Sequence, residues 1–267
     1  MTLVSLEHLL PFPLQLFFAF LLGIALGSFG TMLLHRMPRA ENFGGRSACP
    51  LCGHTLAWYD LFPLLSYLFL RGRCRSCAAR ISPRYLIVEF VTGALFVAVA
   101  ALFRDLPIVL LIPLSLALLM VLFIAFYDAE TQRIPDILTA VLAFMALLYQ
   151  FGRLLLMPGE TPQSLFFGAL FIALFFGSLW IVSRGRWIGS GDILLGASLG
   201  ALLGFRESIL MLFFAYTIGA AVATTLLLSG KIHRKSPIAF GPFLALGSFI
   251  ALFAGENILE WYVSLLR

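Results

Sequence analysis

Charge is what this chain has least of. Only 12% of its 267 residues are charged while 61% are hydrophobic, and the mean hydropathy is +1.01. A soluble domain carries about 25% charged residues, so the composition excludes an ordinary globular fold. The net charge of +5 would suggest nucleic acid in a soluble chain. In one this apolar, the basic residues act first as topology signals, and no nucleic-acid partner is expected. Lys and Arg are missing from Met1 to Leu10, which include Glu7 and His8. The first apolar run therefore lacks the basic start of a removable signal peptide, and it is long enough to span. Cysteine is missing outside one short stretch, which argues against scattered disulfides. His8, His35, His54 and His233 stand at no nucleophile–base spacing, no Gly-rich nucleotide loop is present, and no repeat is evident.

What is there reads as an all-α polytopic membrane protein. Since roughly 20 apolar residues cross a bilayer core, eight segments qualify, at about 12–34, 86–103, 107–127, 137–157, 164–183, 191–205, 208–229 and 240–260. The sixth is the shortest, and its glycines suit a re-entrant or partly embedded helix. Of the 18 Lys and Arg residues, Arg104, Arg153, Arg206 and Arg267 fall on one side. The other 14, among them Arg46, Arg234 and Lys235, share the side of the cysteine loop. By the positive-inside rule that loop is cytoplasmic and both termini face outward. The expected organisation is a first transmembrane segment at 1–34, a cytoplasmic loop domain at 35–85 and a transmembrane core at 86–267.

The loop carries Cys49-Pro50-Leu51-Cys52 and Cys74-Arg75-Ser76-Cys77, separated by 21 residues. Two such knuckles suit a tetrahedral Zn2+ site with four thiolates. With every ligand a cysteine, the site is closed and structural. A loop too small for an apolar core can draw folding free energy from the metal. Two disulfides are the alternative, disfavoured in a reducing compartment, and His54 is a possible substitute ligand. Arg71, Arg73, Arg75 and Arg80 crowd the second knuckle and would offset the thiolate charge.

Two acids stand where hydrocarbon begins. Asp128 closes the third segment, and Asp192 opens the sixth within Gly189-Ser190-Gly191-Asp192. The charge topology puts both at one depth, on the cytoplasmic side. Two carboxylates in hydrogen-bonding range cannot both ionise comfortably, so they share a proton. The ionised member can then take a proton from water while the protonated one polarises a scissile carbonyl. Gly189 and Gly191 support the motif by keeping the backbone bare for an extended substrate. Against this stand plainer readings: Asp192 as a helix N-cap, Asp128 as a helix-end acid beside a base, and Asp136 as a rival partner that reads as an N-cap with Thr139. Glu89 and Glu256, close to or within spans, suit either proton relay or helix packing.

Five blocks in order resemble the type IV prepilin peptidase family of membrane aspartic proteases. They are Gly27-Ser28-Phe29 with His35-Arg36-Met37-Pro38-Arg39; the cysteine loop with Trp58-Tyr59-Asp60 and Glu89; Asp128 with Ile134-Pro135-Asp136; Gly189-Ser190-Gly191-Asp192; and Phe240-Gly241-Pro242. The resemblance implies that Asp128 and Asp192 are the catalytic pair and that Cys49, Cys52, Cys74 and Cys77 hold zinc. It also implies a bacterial inner-membrane enzyme that cuts the basic leader from prepilins or pseudopilins at the cytoplasmic face, amid membrane lipid. Many members then methylate the new N-terminus with S-adenosylmethionine. Gly72-Arg73 stands where the family has Gly-Lys, a pair associated with methyl transfer. The competing expectations are a proton-coupled transporter using the intramembrane acids and a non-catalytic assembly scaffold.

Overall fold

The computed structural model describes residues 11–39, 44–45, 47–49, 51–157, 162–233 and 236–265. Met1 to Leu10, Arg46, Pro50, Arg234, Lys235 and Arg267 lie outside the described residues. The described chain is helical, with two isolated β-bridges and no strand. It falls into two compact units, Met1–Leu111 and Ile112–Arg267.

In the first unit, α1 (Phe12–Arg36) packs on α3 (Arg84–Leu102). Lipid tails are as apolar as leucine, so helix pairing in a bilayer rests on close backbone approach. The sequence supplies it at Gly23 and Gly27. A Cβ there would lie 2.8 Å from the Gly93 Cα and 2.9 Å from the Glu89 Cα, respectively. Between the two helices the chain makes a 3-10 turn at Trp58–Leu61 and the short α2 (Leu65–Phe69). The Ser66 Oγ–H donates to the Tyr59 carbonyl at 2.7 Å and fixes that turn to α2. Glu89 answers the question left open for it: its Oε2 accepts the Leu64 N–H at 2.8 Å. The carboxylate thus anchors the loop onto α3, and holds Leu64 at a positive φ of 60°.

The helix α4 (Ile108–Thr131) begins in the first unit and runs on through the second as its most enclosed span. It is followed by α5 (Asp136–Leu156), α6 (Pro162–Ser183), α7 (Ser190–Leu203), α8 (Phe205–Leu228) and α9 (Gly241–Leu265). Seven of these helices, namely α1, α3 to α6, α8 and α9, are long and apolar enough to cross a membrane. The sixth expected span is the exception. At 14 residues, α7 reaches about 21 Å, short of a hydrocarbon core of about 30 Å. Protein covers it instead, with α5, α6 and α8 packed around it. Gln150 Nε2 of α5 donates to the terminal carbonyls of Ala201 and Leu202 at 3.1 and 2.7 Å, groups that would otherwise be orphaned in lipid. A single residue, Gly204 at φ 90° and ψ 178°, joins α7 to α8. Only glycine adopts that conformation readily.

Candidate active site

Asp128 sits in the last turns of α4, 4% exposed, where its Oδ2 accepts the Gly241 N–H at 2.8 Å. Gly241 opens α9, and the next residue, Pro242, has no N–H to offer. The carboxylate is therefore held by a single backbone donor at a helix N-terminus, whose dipole favours negative charge. Asp192 is held in a related way. It is the third residue of α7, and its Oδ2 reaches back to the Gly189 N–H at 3.0 Å. Among the described residues, the second oxygen of each acid makes no hydrogen bond. Asp192 is therefore not the N-cap, which is Gly189, but the third helical residue reaching back to it, and each acid uses one oxygen in this way. The partner of Asp128 is a glycine N–H rather than a neighbouring base.

Both carboxylates line one cavity of about 610 Å³, together with Gln132, Ile134, Trp187, Tyr216 and Phe240. Asp192 lies within electrostatic reach of Asp128 and of Tyr216. Across the mouth, Gln132 Nε2 donates to the Pro237 carbonyl at 3.0 Å, tying the loop after α4 to the loop before α9. Tyr216 is set by the Phe240 ring, 5.1 Å away between centroids. Asp136 also lines the cavity but is exposed. It is the first residue of α5 after Pro135, not an N-cap, and the Thr139 hydroxyl donates to the Pro135 carbonyl. An exposed acid stays solvated, so it lacks the confinement that makes two carboxylates share a proton. Glu256 is exposed on α9.

The two motif glycines differ from the expectation set for them. A Cβ on Gly191 would meet the Ile134 Cβ at 3.0 Å, so the space it leaves is occupied by the chain's own loop. Gly189 acts through its N–H. Neither Gly241 nor the aromatic lining was anticipated as part of the site. The only sequence signal was a Gly-Pro pair following Phe240.

In the loop of the first unit, the Sγ atoms of Cys49, Cys52, Cys74 and Cys77 lie within 4.8 Å of one another. The Cys49 and Cys77 sulfurs are 3.9 Å apart. A disulfide requires about 2.05 Å, and the four thiols are free. Tetrahedral zinc with Zn–S near 2.3 Å sets sulfurs about 3.8 Å apart, so the four thiols suit such an ion. His54 stands outside the cluster and is exposed. The N–H groups of Cys52 and Leu51 hold the Cys49 thiol down at about 6. At Cys77 the Ala79 N–H also lowers it, but loss of solvent and the three neighbouring thiols prevail and push it up to about 11.

The two knuckles are copies of one backbone form. In each, the first cysteine's N–H donates to the residue five positions on, Cys49 to His54 and Cys74 to Ala79. Gly53 and Ala78, each one residue past the second cysteine, both have a positive φ. Next to the second knuckle, Gly72 and Arg73 line a separate cavity of about 560 Å³ with Arg71, Arg80 and Tyr67. Its lining has three guanidiniums and no acid. That set fits the carboxylate of S-adenosylmethionine but not its sulfonium or ammonium.

A family model for the bacterial peptidase A24 N-terminal domain matches residues 21–103, and one for the type IV leader peptidase family matches residues 115–224. Several relatives are named prepilin leader peptidase/N-methyltransferase. The protein from Aeromonas hydrophila is 32% identical, covering 98% of each chain. That from Bacillus subtilis (strain 168) is 33% identical over 92% of this chain and 97% of its own. That from Burkholderia pseudomallei (strain 1026b) is 35% identical over 92% and 87%. No solved structure matches. With relatives above 30% identity along nearly its whole length and seven helices able to cross a bilayer, this multi-pass membrane protein belongs to the type IV leader peptidase family.

Proposed function

We propose that the chain is a prepilin leader peptidase in which Asp128 and Asp192 form the catalytic dyad, and that it also methylates the N-terminus it exposes. The observation that carries the peptidase reading is that both carboxylates face one cavity, each steadied through one oxygen by a glycine N–H. The free oxygens are the ones available for a shared proton and a water. The ionised acid takes a proton from that water, and the other donates toward the carbonyl of the scissile peptide. The pair titrates as a unit, so the roles belong to the dyad and not to either residue. The substrates are prepilins or pseudopilins, whose apolar helix lies in the membrane with its basic leader outside it. By the distribution of Lys and Arg, the acids and the zinc loop face the cytoplasm.

Zn2+ held by Cys49, Cys52, Cys74 and Cys77 is structural. Four thiolates complete its shell and leave no position for water. S-adenosylmethionine supplies a methyl group to an α-amine. This chain's Gly72 and Arg73 offer its carboxylate a cation and leave its own positive groups unpaired, so no step is assigned to them.

The test is co-expression with a prepilin, following leader removal in the wild type and in Asp128→Asn and Asp192→Asn. Loss of cleavage in both, with the protein still in the membrane and zinc-loaded, is the expected result. Continued cutting by both variants sinks the dyad. Methyl transfer from labelled S-adenosylmethionine onto substrate supplied already cut should persist in both.

A further inference from the structure

The cavity beside the second knuckle has no use in leader cleavage, and its chemistry is distinctive. Arg71, Arg73 and Arg80 line it, and all three are exposed. Among the described residues they have no acidic partner. Arg75, by contrast, is committed to Asp60 at 2.8 Å and lies over the Tyr59 ring. Ser82 and Pro83 complete the wall, directly ahead of α3 and its positive N-terminal end. Offsetting the zinc–thiolate charge would explain a few arginines here, but not a cavity lined by three of them.

A second observation lies on the adjoining surface. The 3-10 turn and α2 expose Trp58, Phe62, Leu65, Leu68 and Phe69, with Trp58 at 73% and Phe69 at 83%. The Ser66–Tyr59 hydrogen bond makes the two short elements one body. Tyr67, on the same α2, turns the other way and lines the arginine cavity. One short helix thus separates an apolar face from a cationic hollow. The chain enters a membrane span at Arg84, immediately after Pro83. The hollow is therefore anchored at the depth of the headgroups, where Trp and aliphatic residues partition into the interface.

We propose that Arg71, Arg73 and Arg80 bind the phosphate of an anionic phospholipid, with the Trp58–Phe69 face set in the lipid interface beside it. Guanidinium forks match phosphate oxygens in pairs, and a cavity whose only charged lining groups are cations complements an anionic leaflet. The site goes beyond the peptidase reading and does not depend on it.

The test uses the zinc-loaded full chain in detergent, titrated with short-chain phosphatidylglycerol, short-chain phosphatidylcholine or inorganic phosphate, and read by native mass spectrometry. Phosphatidylglycerol should bind at least about tenfold more tightly than phosphatidylcholine, since surface arginines attract an anionic headgroup. The triple variant Arg71→Gln, Arg73→Gln, Arg80→Gln should lose that preference. Trp58→Ser with Phe69→Ser should weaken both lipids alike and leave the preference in place. Equal binding of the two lipids by the wild type, or an unchanged preference in a zinc-replete triple variant, overturns the proposal. Inorganic phosphate binding as tightly as the lipid overturns the lipid assignment. An acidic peptide that displaces phosphatidylglycerol and binds more tightly assigns the surface to a protein, and likewise overturns it. If the triple variant loses its zinc, the three single Arg→Gln variants should each lose part of the preference, and no loss in any of them overturns the proposal.

Discussion

The cysteine cluster and the acid cavity both bring distant residues to a point, but over different lengths of chain. Each knuckle closes on itself within five residues, through Cys49 N–H to the His54 carbonyl and Cys74 N–H to the Ala79 carbonyl. The remaining gap is 21 residues of loop. Asp128, in contrast, is held by Gly241, 113 residues away, and shares its cavity with an acid on a third helix. The loop is organised by local turns that a metal can lock. The cavity exists only because several long helices have already packed. The first should therefore depend on zinc, and the second on the positions of backbone N–H groups.

Stripping zinc with a chelator is the largest perturbation, because structural zinc binding is worth roughly 10–16 kcal/mol. Amides across residues 47–81 should lose hydrogen-exchange protection while those of α7 and α9 keep theirs. Loss of both together would make the two regions one cooperative unit and end the contrast. Asp128→Asn or Asp192→Asn should reverse the pattern. Leader cleavage should fall about 10²–10⁴-fold, the usual worth of a general acid or base, with zinc content by metal analysis unchanged.

Gly241→Ala is the finer probe of the cavity. The new Cβ would lie 2.8 Å from the Asp128 Oδ2 and displace the carboxylate while keeping the N–H. Misplacement on that scale lowers turnover by about 10²-fold, and kcat should carry the loss rather than KM. Full activity in this variant would mean that Asp128 does not need its backbone anchor.

The pH dependence tests the loop alone. Metal binds thiolates, so every thiol still protonated must give up its proton. At neutral pH Cys49, near 6, has largely done so, whereas Cys77, near 11, has not. The apparent zinc affinity of the metal-free protein should therefore rise with pH across 7 to 9, about tenfold per unit for each proton displaced. A competition titration that comes out flat over that range would contradict the assigned thiol order. The smallest effect expected is at Ala78, whose φ of 57° suits the glycine that its counterpart Gly53 already is. Ala78→Gly should stabilise the loop by about 0.5–1 kcal/mol, seen as slower zinc release. No change there would mean that the two knuckles are not equivalent under load.

The loop was legible because its information is local: cysteine spacing alone announces a four-thiolate site. The seven long spans were legible for a similar reason, since length and hydropathy are properties of a segment. Asp128 and Asp192 were legible as isolated acids in apolar surroundings, a rare and costly placement. Their surroundings were not. Gly191 looked like an opening for substrate, and it is filled by Ile134 from another loop. Asp136 looked like an N-cap, and it is the first helical residue beside the cavity mouth. Tyr216 carries no motif and Phe240 stood in a block given no place at the site, and their position beside the acids follows only from how α8 and α9 pack.

By itself the sequence determined that the chain is helical, that it crosses a membrane repeatedly and that four cysteines gather in one loop. Each follows from the composition or spacing of a contiguous stretch. Only the tertiary structure decided that α7, with 14 residues, is covered by α5, α6 and α8. It alone decided that Gln150 satisfies the carbonyls of α7 and that Gly241 holds Asp128. Those outcomes depend on which backbone donors and acceptors meet once the helices have packed. In lipid no water is present to satisfy the groups that do not meet.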